Sequence, residues 1–240
     1  MSHKVFILKK LFFQIGSIFL FLNLNAQKVS KTASDAFIIT RMVQKFHVQP
    51  RILNDSFSID FFNKTLSALD DEKIFFTQQD ISKLKAYEYL LDEQVAQKKT
   101  DFLQLLINLY NMRMTEADTM IDNICKMPLS FSQHDIYTVK EDTSYPLNEA
   151  AMHAKLYKLI KLSLLGSLSR YSEKITTLNS TAQKKYLDSI EIIQRKKVNV
   201  HFKRSVNTMK QSPGGLQQAV CDIYCQSLAS CYDPHTEYFP

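Results

Sequence analysis

The most reactive side chains in this 240-residue sequence are thiols and one imidazole near its end: Cys221, Cys225, Cys231 and His235, with Cys125 far upstream. Cys221 and Cys225 are four apart, so on a helix they share a face. Cys and His are the ligands zinc prefers, yet C-x3-C-x5-C-x3-H matches no common zinc module. Three readings therefore stand side by side: buried apolar thiols, one or two disulfides, or a metal site.

The last ten residues, "CYDPHTEYFP", add two carboxylates and three aromatics. Pro234 lacks a backbone donor and fixes φ, so the preceding helix must stop there. Asp233 ahead of it can accept from downstream amides and tighten the turn. With Tyr232, Tyr238 and Phe239 to pin it, Asp233-Pro234-His235-Thr236 reads as a structural joint, without an evident nucleophile. A second run, "RKKVNVHFKR" (195–204), holds five Lys/Arg and a His. It is either an anionic-lipid or nucleic-acid patch, or a solvated helix face, the reading preferred here. His47, His134 and His153 are isolated in sequence. There is no G-x-S-x-G, no H-E-x-x-H and no Gly-rich phosphate or dinucleotide turn, so no catalytic, cofactor-binding or metal residue is assigned and no cofactor is expected.

Residues 1–26 look like an export signal. Lys4, Lys9 and Lys10 precede a largely apolar stretch, Leu11–Leu24, without any acidic residue. That stretch is short for a membrane span, which needs roughly 20 residues, and the polar "QKVSK" follows at once. The alternative is an uncleaved N-terminal anchor. Either way the remaining chain, residues 27–240, is expected outside the cytoplasm, in the periplasm. The formal net charge is +6, of which the leader supplies three charges without offset. The remainder is too mildly basic to argue for nucleic acid.

Gly (4) and Pro (6) are scarce, and sheet-rich folds need many tight turns. The chain is expected to be all-α, with about seven helices. Apolar residues at Phe37, Ile38, Met42 and Phe46 form a helical stripe that predicts a helix over 33–48, stopped before Pro50. Asn54-Asp55 offers a cap for a second helix carrying Phe57, Phe61, Phe62, Leu66 and Leu69. Thr77 and Asp80 form an acidic capping box, opening a helix with Ile81, Leu84, Tyr87, Leu91 and Val95 on one face. A fourth spans 101–126, with Leu105, Leu106, Leu109, Met112, Ile121 and Ile124 as its core side. An irregular segment, near 128–147, precedes helices at about 148–168, 181–209 and, after "SPGG", 216–229. Periodicity does not decide between one core and two lobes split at the irregular segment.

These residues also resemble a known family. "YDPHTEYFP" (232–240) closely resembles the run that ends the N-terminal helical domain of tail-specific proteases, the carboxy-terminal processing peptidases. "LSALDDEKIFFTQQDISKL" (66–84) is similar to that family's Leu-Asp-x-x-Lys/Arg-x-x-Phe segment, and residues 41–62 and 141–165 resemble its flanking helices. The basic run falls where the family has a basic helix. The chain departs from the pattern in having no Trp, and in placing Phe239 directly against Pro240 where the family has a small residue. The resemblance implies a relative in which a PDZ domain and a serine protease core with a Ser–Lys dyad follow the helical domain. Those parts lie beyond the resembling segment, so no catalytic residue carries over. It further implies protein substrates, and an adaptor protein, as partners of the helical domain. The other reading is a stand-alone exported helical binding or scaffold module.

Overall fold

A computed structural model of the chain describes residues 27–131, 144–177, 179–233 and 235–239. The expected leader (1–26), most of the irregular segment (132–143), His134 and Pro234 lie outside these. Among the described residues every regular element is helical and none is a strand, so the fold is all-α. In chain order the helices are α1 (27–46), α2 (Asp55–Asp70), α3 (Gln78–Leu84), α4 (Leu91–Ala96), α5 (Asp101–Lys126), α6 (Glu149–Ser169), α7 (Ser172–Thr176), α8 (Ser180–Lys210) and α9 (Gly215–Tyr232).

Side-chain caps set most of the starts. The carboxamide oxygens of Asn54, Asn148 and Asn179 accept from the amides of Phe57, Ala151 and Ala182. These satisfy donors that a helix N-terminus leaves orphaned. Thr77 caps α3 with the expected acidic box, Asp80 reaching back to the Thr77 amide. Gly214 and Gly215 both take a left-handed φ, near +80°, which a β-carbon would oppose. That is the chemistry "SPGG" provides between α8 and α9.

The chain forms two compact units, interleaved in sequence rather than divided at 128–147. The first takes residues up to Thr65, Tyr87–Leu105 and Val220 onward; the second takes Leu66–Ala86 and Leu106–Ala219. The first unit has an aromatic core. The Phe61 and Tyr224 ring centroids are 4.8 Å apart, and Phe102 meets Phe62, Tyr87 and Tyr224. In the second unit Tyr110 packs on Phe75 and Phe76 and donates its hydroxyl to the Leu69 carbonyl. Apolar rows from α5 (Met114, Ala117, Ile121), α6 (Met152, Leu156, Ile160, Leu164) and α8 (Val198, Val206) complete it.

Three sequence-based expectations need correction. The helix drawn through 78–95 is broken: a 3-10 turn (Lys85–Tyr87) and a bend separate α3 from α4. The break has a distant cause, for the Ser58 hydroxyl oxygen accepts from the Asp92 amide at 2.9 Å and so starts α4 afresh. Together with α7, which periodicity missed, this raises seven helices to nine among the described residues. Met112 is exposed rather than part of the α5 core. In α1 the inward stripe is Val29, Ala33 and Ala36 with Thr32 and Thr40, whereas Ile38, Met42 and Phe46 point outward. Periodicity finds a stripe but does not say which of two stripes meets the core.

Candidate functional site: the terminal turn

The terminal turn belongs wholly to the first unit. α9 ends at Tyr232, and its last carbonyls are met by cations from near α2. Lys64 Nζ donates to the Ser230 carbonyl at 2.7 Å, and Arg51 donates to the Cys231 carbonyl at 3.4 Å. Both complement the negative end of the helix dipole. Arg51 also pairs with Asp60 and lies over the Phe57 ring at 5.4 Å, and Tyr232 packs on the same ring at 4.9 Å. One aromatic residue of α2 is thus the anvil for both sides of the helix exit.

Past the exit, the Asp233 carboxylate organises the turn. Its Oδ1 accepts from the His235 amide at 2.8 Å and faces His235 Nδ1 at 3.0 Å, while Thr236 donates its amide to the Asp233 carbonyl. The bond from the His235 amide leads in holding this carboxyl below the usual carboxylate range. Its Oδ2 lies 3.5 Å from His47 Nε2, which links the turn to the end of α1.

The outgoing chain is then gripped by one side chain that carried no sequence signal. The Gln226 carboxamide donates to the Thr236 carbonyl at 3.1 Å and accepts from the Tyr238 amide at 2.7 Å. A primary amide offers a donor and an acceptor in one plane, so it serves extended backbone as a neighbouring strand would. Gln226→Ala is expected to free residues 236–239 while leaving α9 folded. Each lost bond is worth about 1 kcal/mol, so the Tyr238 amide should exchange roughly fivefold faster, with the global urea midpoint nearly unchanged. Equal exchange in both proteins would show that Gln226 does not hold the turn.

The thiols do not converge with the histidine. His235 is almost fully exposed, whereas Cys221, Cys225 and Cys231 are buried. All four cysteines are free thiols. Burial raises each of them, Cys225 and Cys231 to about 12, as for thiols packed among apolar side chains. Cys225 Sγ instead meets the Thr32 carbonyl of α1 at 4.0 Å, and Cys125 belongs to the second unit. Among the described residues no three His, Cys, Asp or Glu side chains are grouped to hold a metal. His153 is exposed.

The basic run divides between two faces of α8. Arg195 is buried, pairs with Glu191 and caps the Cys125 carbonyl at 2.7 Å. Lys203 pairs with Asp118 and Asp122, and Asn199 donates to Asp122. Lys196, Lys197 and Arg204 face solvent. Half of the run therefore docks α8 on α5, which a count of charges does not reveal.

Two carboxylates of the second unit are structural centres, Asp70 beyond its place in the Leu-Asp segment and Asp80 beyond the cap it was expected to supply. Asp70 accepts from the amides of Ile74, Phe75 and Phe76 at 2.7–2.9 Å, folding "DDEKIFF" around itself. Asp80 is fully buried and joined to Arg113 of α5 at 2.7 Å. The described motif residues thus cap helices, brace a helix exit and knot loops. No curated protein sequence matches the chain. The tail specific protease N-terminal domain, however, matches residues 39–240, a span that takes in the Asp70 knot, the Asp80 box and the braced terminal turn alike. With most of its length so matched, the chain belongs to the tail specific protease N-terminal domain family.

Proposed function

We propose that this chain is the non-catalytic helical domain of an exported tail-specific serine peptidase. It would shape the path by which polypeptide substrates approach and dock partner proteins. The observation that carries this reading is the terminal turn. The Asp233 carboxylate and the Tyr232 ring brace the exit of α9, Gln226 fixes the direction in which the chain leaves, and Phe239, expected to pin the turn, is instead 81% exposed. Such a joint suits the transmission of a fixed geometry to whatever follows it. The resemblance stated above places a Ser–Lys dyad outside the matched domain, where a desolvated Lys would take the Ser proton. An export leader would deliver such a chain to the periplasm.

The test is direct. Purified chain incubated with an unstructured polypeptide bearing an apolar tail is expected to leave it intact. Cleavage abolished by a serine-directed reagent would defeat the reading. Reading the genomic DNA past the codon for Pro240 separates the alternatives. A frame that continues into a PDZ-like, Ser- and Lys-bearing segment supports the peptidase, and a stop codon supports the stand-alone exported binding or scaffold module.

A further inference from the structure

α1 turns its small residues inward and its large ones outward. Thr32, Ala33 and Ala36 are buried, with Thr32 against Cys225 of α9. Ile38, Met42 and Phe46 are 51%, 56% and 71% exposed. They stand four apart, so they form one stripe, and exposed Val48 follows it. Single exposed apolar residues are ordinary, but a contiguous stripe marks an interaction surface.

Charge narrows what the stripe can meet. Lys31, Arg41 and Lys45 lie on the exposed side of the same helix. Among the described residues no ion pair holds Lys31 or Arg41, and Lys45 sits over the Phe46 ring at 5.2 Å. No Asp or Glu occurs between Asp35 and Asp55. Protein–protein interface cores are depleted in Lys. Helices that lie in a membrane interface combine Lys/Arg with Phe and aliphatic side chains, the long cationic stems reaching up to lipid phosphates. No helix among the described residues is long and apolar enough to cross a membrane, so this geometry is one of lying on a bilayer. In sequence, α1 follows directly on the expected export leader, residues 1–26, and so starts where the chain would leave the membrane.

We propose that the outward face of α1 docks on a bilayer surface rich in anionic lipid. Ile38, Met42 and Phe46 enter the headgroup region, and Lys31, Arg41 and Lys45 meet the phosphates. This does not depend on the peptidase reading, since a binding module would carry the same face. The absence of Trp from the chain gives a clean test in the full-length protein. Phe46→Trp supplies a single reporter, and Tyr89→Trp, at another exposed position of the first unit, is its control.

With phosphatidylglycerol-rich vesicles the Phe46→Trp emission is expected to shift to the blue and to be quenched by brominated acyl chains. The Tyr89→Trp emission should do neither. Adding Arg41→Glu and Lys45→Glu should weaken partitioning at least about 30-fold, since each cation near an anionic surface contributes about fivefold. The proposal is overturned by equal responses at the two reporters, by no response at position 46, or by equal quenching in phosphatidylcholine vesicles. It is likewise overturned if the blue shift needs no vesicles and grows with protein concentration, which would make a second copy the occupant.

Discussion

Asp80→Ala is expected to destabilise the second unit by about 3–5 kcal/mol, the usual cost of stranding one member of a buried ion pair. Asp80 Oδ2 accepts from the Thr77 amide, the Thr77 hydroxyl and Arg113 Nε, and Oδ1 accepts from Arg113 Nη2. Burial alone would push this carboxyl up, but the Arg113 and Thr77 hydrogen bonds outweigh it and hold it below the usual carboxylate range. Arg113 Nη1 continues to Glu116 at 2.6 Å and to Glu149 at 3.1 Å, so one guanidinium ties α3, α5 and α6. Losing Asp80 strands the buried Nε and Nη2 donors and removes the α3 capping box together. Arg113→Met should cost somewhat less, because Thr77 still serves the carboxylate. In that variant burial would act on Asp80 unopposed by a cation and raise its pKa. A raised folded-state value favours the protonated native form, so the Arg113→Met protein should recover stability as pH falls, measured as the urea midpoint. The double variant should lose clearly less than the sum of the singles, since its second change strands nothing. Additivity within about 0.5 kcal/mol would mean that the two groups are uncoupled.

What could be read from the sequence follows from where each signal resides. Phe57, Phe61, Phe62, Leu66 and Leu69 are all buried, because a helix that must cover a core repeats its apolar residues at its own period. The caps at Asn54 and Thr77 are local, with their partners three residues away, and the Asp–Pro stop is set by one ring. Failures came where the cause is distant. The break before α4 depends on Ser58, 34 residues earlier. Arg113 is a single polar residue in a long amphipathic helix until α3 brings Asp80 against it. Gln226 carries no pattern whatever, since its partners follow α9 in chain that returns to it. Of the three readings open for the thiols, buried apolar side chains is the one that Cys221, Cys225 and Cys231 follow. The α1 stripe of large residues marks a helix without saying which side meets the core, and the small residues Ala33 and Ala36 are the ones that turn inward.

Asp70 should give the protein an acid-side gain in stability that one substitution removes. Burial dominates its titration and raises it to about 6, against the lowering effect of the Phe76, Ile74 and Phe75 amides and of Lys155. The folded form therefore binds this proton more tightly than the unfolded chain does. Between about pH 4 and 6 the native state holds more protons, and stability falls as pH rises through that window. The size is about 2–3 kcal/mol, at roughly 1.4 kcal/mol per tenfold change in proton affinity. Asp80, Asp122 and Asp233 are shifted the other way, so their contributions are lost only as pH drops below the usual carboxylate range, and the two effects separate on the pH axis. Asp70→Asn keeps one acceptor oxygen and cannot titrate. Its unfolding free energy, followed by circular dichroism in urea, should be flat between pH 4.5 and 6.5 where the parent protein slopes. Asp70→Ala leaves the Ile74, Phe75 and Phe76 amides without their acceptor and should cost at least about 3 kcal/mol, at about 1–3 kcal/mol for each stranded donor. A parent protein whose stability is level across that window, or rises with pH, would show that Asp70 is already ionised without penalty, and that the loop it knots is more open to water than its buried carboxylate requires.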